Sequence, residues 1–72
     1  MMFTNKGLEI LQKAYIEATG NSTMSYTKEE LEKYELLWVC YRSEQMSEKQ
    51  FNLHLEDKKF LAYVKYRESK GN

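Results

Sequence analysis

The stretch Leu36-Leu37-Trp38-Val39-Cys40-Tyr41 is the longest apolar run of the chain, and it decides which fold we expect. Six consecutive apolar residues occupy every side of a helix, so this segment needs cover from more than one neighbour. Apolar residues elsewhere recur at steps of three and four, and no segment alternates as a strand does. The sequence therefore predicts an all-α fold, a small bundle of three or four helices with the second helix at its centre.

The second helix is predicted over residues 28–42. Thr27 and Glu30 form a capping-box pattern, in which each side chain bonds the backbone N–H of the other residue. The main apolar face consists of Leu31, Tyr34, Leu37, Trp38 and Tyr41. A second apolar face, on the other side of the helix, consists of Leu36, Val39 and Cys40. Two faces require two neighbours.

The first helix is predicted over about residues 4–19, with Thr4 as its N-cap. Its apolar face consists of Leu8, Leu11, Tyr15 and Ala18, widened by Ile10 and Ala14. Gly20 follows at the position where a helix commonly ends in a left-handed residue. Residues 21–26 are predicted to form a loop.

The C-terminal part contains a change of helical phase. Ser47 and Gln50 repeat the capping-box pattern, and the short connection before them predicts an antiparallel hairpin with the second helix. The apolar positions then change sides of the helix at Glu56-Asp57. We favour a break there, with Asp57 capping a fourth helix, so that the helices cover about residues 48–56 and 58–69. The alternative is one helix from residue 47 to residue 69.

The segment from Leu31 to about Leu61 resembles the two-helix hairpin of short C-terminal oligomerisation domains. Its nearest part is Met46-Ser47-Glu48-Lys49-Gln50-Phe51. The glycine that such hairpins carry in the turn is absent here. The resemblance implies self-association through helices.

Length and charge limit the classes of function. A chain of 72 residues is a single domain, 1–72, near the lower size limit for a self-sufficient core, so self-association is expected to help. The 11 basic residues equal the 11 acidic ones, so no overall positive field attracts nucleic acid. Residues 28–57 are nevertheless acidic and residues 58–72 basic. We expect the basic end to pack near the acidic middle or against a neighbouring chain.

The residue types argue against catalysis and metal binding. With His54 and Cys40 as the only histidine and cysteine, a zinc site cannot be assembled from such ligands. His54 precedes Asp57 by one helical turn, which we interpret as a surface pair. An acidic group lies near the start of the second helix and is expected to stabilise the helix dipole instead of binding a cation: Glu29, Glu30, Glu32 and Glu35. We predict no catalytic residue, no cofactor and no metal.

Trp38, Cys40 and the length of the apolar run bear on the core and on the compartment of the protein. Trp38 is expected in the core, and Cys40 is expected as a buried thiol of a reducing compartment. A run of six apolar residues is far below the roughly 20 needed to cross a bilayer. We predict a cytoplasmic protein that does not bind membranes.

Two surfaces are candidates for binding. The first is a Lys/Tyr stripe on the last helix, predicted to face away from Phe60 and Val64 and suited to single-stranded nucleic acid or an acidic partner: Lys59, Tyr63, Tyr66 and Lys70. The alternative is that the tyrosines cover the edge of the core. The second candidate is the face of Leu36, Val39 and Cys40, which becomes a dimer seam or a landing site for a partner helix if the bundle leaves it uncovered.

The function we predict is non-enzymatic: a small intracellular module that binds a partner protein and itself. Lysine outnumbers arginine nine to two, which is typical of low-GC coding sources, so a bacterial or phage regulator or inhibitor of a host protein is our prediction. The alternative is a nucleic-acid-binding accessory protein that uses the Lys/Tyr stripe.

Overall fold

The computed structural model describes the backbone of residues 5–70 and the side chains of residues 6–69. Four helices form over this range: α1 (Asn5–Thr19), α2 (Lys28–Arg42), α3 (Glu48–His54) and α4 (Lys58–Lys70). No strand occurs among the described residues. The prediction of a small all-α bundle is confirmed. The predicted N-cap Thr4 lies outside the described residues.

The start of α2 is fixed by the predicted capping box. Glu30 N donates to Thr27 Oγ1 at 3.0 Å, and Thr27 N donates to Glu30 Oε1 at 2.9 Å. Two backbone N–H groups that a helix start leaves without partners are thereby satisfied. At the start of α3, Ser47 Oγ accepts from Gln50 N at 3.2 Å, which is half of the second predicted box.

Two helix ends adopt the left-handed conformation. Gly20 follows α1 with φ 79°, as predicted from its position. Glu44 follows α2 with φ 64°, although its side chain makes this conformation costly. Glu44 N donates to Tyr41 O at 3.1 Å and Gln45 N to Cys40 O at 2.8 Å, the two bonds of a Schellman motif. Glu44 thus occupies the position where such a turn usually has glycine.

The phase shift at Glu56-Asp57 is a true break between α3 and α4, as favoured. Asp57 Oδ1 accepts a hydrogen bond from Lys59 N at 3.0 Å, and Asp57 O accepts one from Leu61 N at 2.9 Å. Asp57 is therefore the N-cap of α4. The alternative of one continuous helix is wrong.

The core is centred on α4, which corrects our placement of α2 at the centre. Five residues of α4 are buried: Phe60, Ala62, Tyr63, Val64 and Tyr66. The α2 helix buries only Tyr34 and Trp38. α1 packs along α4, and α2 and α3 close the other side of the core. The reason is that buried positions on α4 lie on several sides of the helix, whereas those on α2 lie on one.

The fold divides the apolar stretch 36–41 between the core and the surface. Trp38 is buried, and Leu37 and Tyr41 pack partly buried against the core. Leu36 and Val39 point the other way and are exposed. Within the described part of the chain, no helix has the length and apolar character that a bilayer crossing requires.

Candidate protein-interaction surface

The outer face of α2, formed by Leu36, Val39 and Cys40, is the least covered apolar face of the second helix. Leu36 is 63% exposed and Val39 is 48% exposed, and Cys40 is partly exposed. They lie at helical steps of three and four, so their side chains share one side of α2. The expectation of a buried Cys40 thiol is wrong, because the bundle leaves this side of α2 open.

The inner side of the same helix is held firmly by aromatic packing. Trp38 lies 6.3 Å from Phe51 of α3 between ring centroids, and Tyr41 stacks on Phe51 at 3.7 Å. The guanidinium of Arg42 lies 5.7 Å from the Trp38 ring centroid, within cation–π range. As expected, Trp38 is a core residue. This packing fixes how α2 is rotated and therefore which residues it presents outward.

Polar bonds also join α2 to α4. Tyr34 OH donates to Asp57 Oδ2 at 2.8 Å, so one carboxylate both caps α4 and satisfies a buried hydroxyl of α2. Burial, and then the hydrogen bond to Asp57, raise the pKa of the Tyr34 hydroxyl, which stays neutral. Tyr26, in the loop before α2, donates to Lys59 O at 2.7 Å.

Two ion pairs connect the acidic middle of the chain to its basic end. Lys59 Nζ lies 2.7 Å from Glu30 Oε1, and Arg67 forms an ion pair with Glu35. Tyr63 OH also donates to Glu35 Oε1. The hydrogen bond from Lys59, followed by that from Thr27, lowers the pKa of Glu30. The expected packing of the basic end near the acidic middle is confirmed within the chain.

The predicted Lys/Tyr stripe is not an exposed face, and its predicted direction is wrong. Tyr63 and Tyr66 are 0% and 2% exposed and belong to the same core cluster as Phe60 and Val64. The ammonium group of Lys59 donates a hydrogen bond to Glu30 Oε1, and the side chain of Lys70 lies outside the described residues. The prediction assumed that α4 buries only one side. The helix is in fact covered on more than one side, so Tyr63 and Tyr66 are buried as well.

The other polar candidates either bond to α4 or are exposed. Glu30 and Glu35 bond to α4, whereas Glu29 and Glu32 are exposed, and the described residues contain no group of three potential metal ligands. His54 is exposed, with its ring 6.3 Å from that of Phe60 in an edge-to-face arrangement. Asp57 Oδ2 accepts a hydrogen bond from Tyr34 OH and Asp57 Oδ1 accepts one from Lys59 N, so the carboxylate is engaged with α2 and α4.

Sequence reasoning missed several surface and loop features. Leu53 of α3 is 60% exposed and Ile16 of α1 is 40% exposed. The loop residues Met24 and Tyr26 pack against the core. Two large apolar residues in an otherwise polar loop were the available signal for this cover. An open cleft of about 440 Å³ lies at the C-terminal end of α2 and is lined by Tyr41, Arg42, Glu44 and Met46.

Comparison with known proteins identifies no relative of this chain. No protein-family model matches the chain, and searches of the curated proteins and of the solved structures also give no match.

Proposed function

We propose that this chain is a non-catalytic protein-interaction module that binds through the outer face of α2, with self-association as its first activity. The observation that carries the proposal is the exposure of Leu36 at 63% and Val39 at 48% on one side of a helix whose other side is anchored. Apolar side chains grouped on a firmly held helix are the usual basis of helix-to-helix recognition.

Size and residue types support the same proposal. In this 72-residue chain α4 contributes more buried residues than any other helix, and the outer face of α2 stays exposed at Leu36 and Val39. Association with a second chain buries this face and adds stability by mass action. We extend the proposal to a small cytoplasmic regulator or inhibitor from a bacterium or phage, on the strength of the lysine-rich composition and the lack of a catalytic residue set.

The nucleic-acid alternative receives no support from the geometry. Its two stacking rings, Tyr63 and Tyr66, are buried, and its first lysine, Lys59, is paired with Glu30. Stacking on bases requires an accessible ring face. We therefore do not propose it further.

Light scattering during size-exclusion chromatography tests the proposal. The wild type is expected to show a mass above the 8.7 kDa of one chain at high concentration and to approach that mass on dilution. Val39→Glu places a charge in the outer face and is expected to give a monomer at every concentration.

Leu53→Glu is the matched control, because it introduces the same charge at another exposed apolar position, on α3. It is expected to leave the mass unchanged, and circular dichroism is expected to show both variants folded. A wild type that is monomeric at the highest concentration, with Val39→Glu equally folded and monomeric, would overturn self-association through α2.

A further inference from the structure

The outer face of α2 has the spacing of a short coiled-coil seam. Glu32, Leu36, Val39 and Ser43 follow one another at steps of four, three and four. This is the spacing of the two core positions of a heptad repeat. The central two positions are apolar and exposed, and the outer two are polar. The seam is therefore short and has polar ends.

Charged residues border both edges of this seam, and along one edge a negative residue is followed by a positive one. Glu35 and Arg42 are seven residues apart and border one edge, and Lys33 and Cys40 border the other. Arg42 lies over the Trp38 ring, which keeps its guanidinium beside α2. Tyr63 and Arg67 both contact Oε1 of Glu35, so the Oε2 atom is the one that would meet a charge from outside.

We propose that a second copy of this chain packs its α2 antiparallel against this seam. Leu36 then contacts Val39 of the partner subunit, and Glu35 lies opposite Arg42 of the partner subunit, each pair occurring twice by two-fold symmetry. This inference rests on the proposed function, because it names the partner and the geometry of the same face.

Charge decides between antiparallel and parallel packing. In the antiparallel arrangement the flanking pair on one edge is Glu35 with Arg42 of the partner subunit, and Lys33 lies beside the neutral Cys40 of the partner subunit. In a parallel arrangement, Lys28 would lie opposite Lys33 of the partner subunit, and the opposite charges would not meet. Like charges brought together oppose association, so the antiparallel form is favoured.

The seam is small, and this sets how the dimer behaves. Each copy contributes only two exposed apolar residues to the seam, and interfaces at the small end of the size range are typical of weak, transient association. The dimer therefore dissociates on dilution, and subunits exchange when two variants are mixed.

Thiol cross-linking distinguishes the two orientations. Wild type, with its single Cys40, is mixed in equal amounts with the double variant Lys33→Cys, Cys40→Ser, and the mixture is oxidised. Intact mass spectrometry separates mixed from identical cross-linked pairs. The antiparallel seam places position 33 beside position 40 of the partner subunit, so the mixed product is expected to exceed the half that random pairing gives.

The outcomes separate this inference from the proposed function. If pairs of identical chains predominate, or if pairing is random, the antiparallel seam is overturned. The proposed function still stands in that case when Val39→Glu abolishes the dimer seen by light scattering. A wild type that never associates overturns both.

A charge reversal tests the same seam without a thiol. Arg42→Glu places like charges opposite each other at Glu35 and is expected to weaken dimerisation by at least tenfold. Lys49→Glu, the same kind of change at an exposed position of α3, is the matched control and is expected to leave the dimer unchanged. Equal dimerisation of both variants, each folded by circular dichroism, would overturn the proposed pairing of Glu35 with Arg42.

Discussion

The hydroxyl of Tyr34 lies 2.8 Å from Oδ2 of Asp57, and this bond joins α2 to the N-cap residue of α4. The other oxygen of the same carboxylate caps α4 through Lys59 N at 3.0 Å. Tyr34 is 2% exposed, so its hydroxyl depends on this partner. One carboxylate thus determines where α4 begins and how α2 is docked on it.

Asp57→Ala is expected to lower the free energy of unfolding by about 2 to 3 kcal/mol. The loss combines a helix cap, worth about 1 kcal/mol, with a buried hydroxyl left without its acceptor, worth about 1 to 2 kcal/mol. Urea unfolding followed by Trp38 fluorescence measures the change. Glu56→Ala, at the exposed neighbouring position, is the control and is expected to shift stability by less than about 0.5 kcal/mol.

Tyr34→Phe removes only the bond between the two residues, so we expect it to cost about 1 kcal/mol. A double-mutant cycle with Asp57→Ala isolates the coupling, for which we expect about 1 kcal/mol. Additive effects of the two substitutions would contradict the direct bond.

Glu44→Gly is expected to stabilise the protein by up to about 1 kcal/mol. Glu44 has φ 64° in the turn that ends α2, a conformation that costs a residue with a side chain about 1 to 2 kcal/mol. Glycine avoids this cost but loses about 0.5 to 1 kcal/mol through the greater freedom of the unfolded chain. Thermal unfolding followed by circular dichroism measures the net change.

Glu44→Ala is the control for that substitution. It removes the same charge from the end of α2 but keeps the Cβ atom that opposes positive φ. We expect it to be less stable than Glu44→Gly, and equal stability of the two variants would show that the backbone conformation at this turn is not costly.

Glu30 is expected to make stability depend on acid pH. The bonds from Lys59 and Thr27 lower the pKa of Glu30 in the folded state below its ordinary value of 4.5. The folded state therefore binds fewer protons than the unfolded state, and the stabilisation is fully present above pH 4.5. It is lost as the pH falls through the lower pKa of the folded protein.

Melting temperatures measured from pH 7 downward test this dependence. Glu30→Gln is expected to be less stable than wild type at pH 7 and to approach it as the pH falls below 4.5. Glu29→Gln removes one charge from the same helical turn and serves as the control. A constant difference between Glu30→Gln and wild type at all pH values would contradict the assignment.

Tyr66→Ala is expected to lower the free energy of unfolding by about 3 to 5 kcal/mol. Tyr66 is 2% exposed, so truncation leaves a cavity in the core. Leu53→Ala, at a residue that is 60% exposed, is the control and is expected to cost less than about 1 kcal/mol. If Tyr66→Ala were as stable as wild type, the ring would belong to a surface, as the Lys/Tyr stripe requires.

Much of the local structure was predictable because it depends on neighbouring residues. The capping box of Thr27 and Glu30, the left-handed Gly20 and the cap at Asp57 each involve groups a few residues apart. These features form where a helix begins or ends, and they involve only residues close to that end. A pattern of residue types is therefore enough to identify them.

The candidate surface was predictable only in part. The exposure of Leu36 and Val39 agrees with their place on the second face of α2. The sequence left open whether Tyr63 and Tyr66 form a binding face or cover the edge of the core, because an amphipathic tyrosine suits both, and the structure buries both rings. The acceptor for a buried hydroxyl can lie far away in sequence, as Asp57 does for Tyr34, and no periodicity indicates such a pair.

The sequence by itself predicted a bundle of three or four helices, the caps at Thr27 and Asp57, and an apolar stretch too broad for one neighbour. Only the tertiary structure decided that α4, and not α2, contributes the largest number of residues to the core, and that Leu36 and Val39 remain outside it. The physical reason is that helix formation depends on residues within one or two turns. Burial depends instead on which faces of all the helices meet, and the covered sides of α4 leave one side of α2 to the solvent.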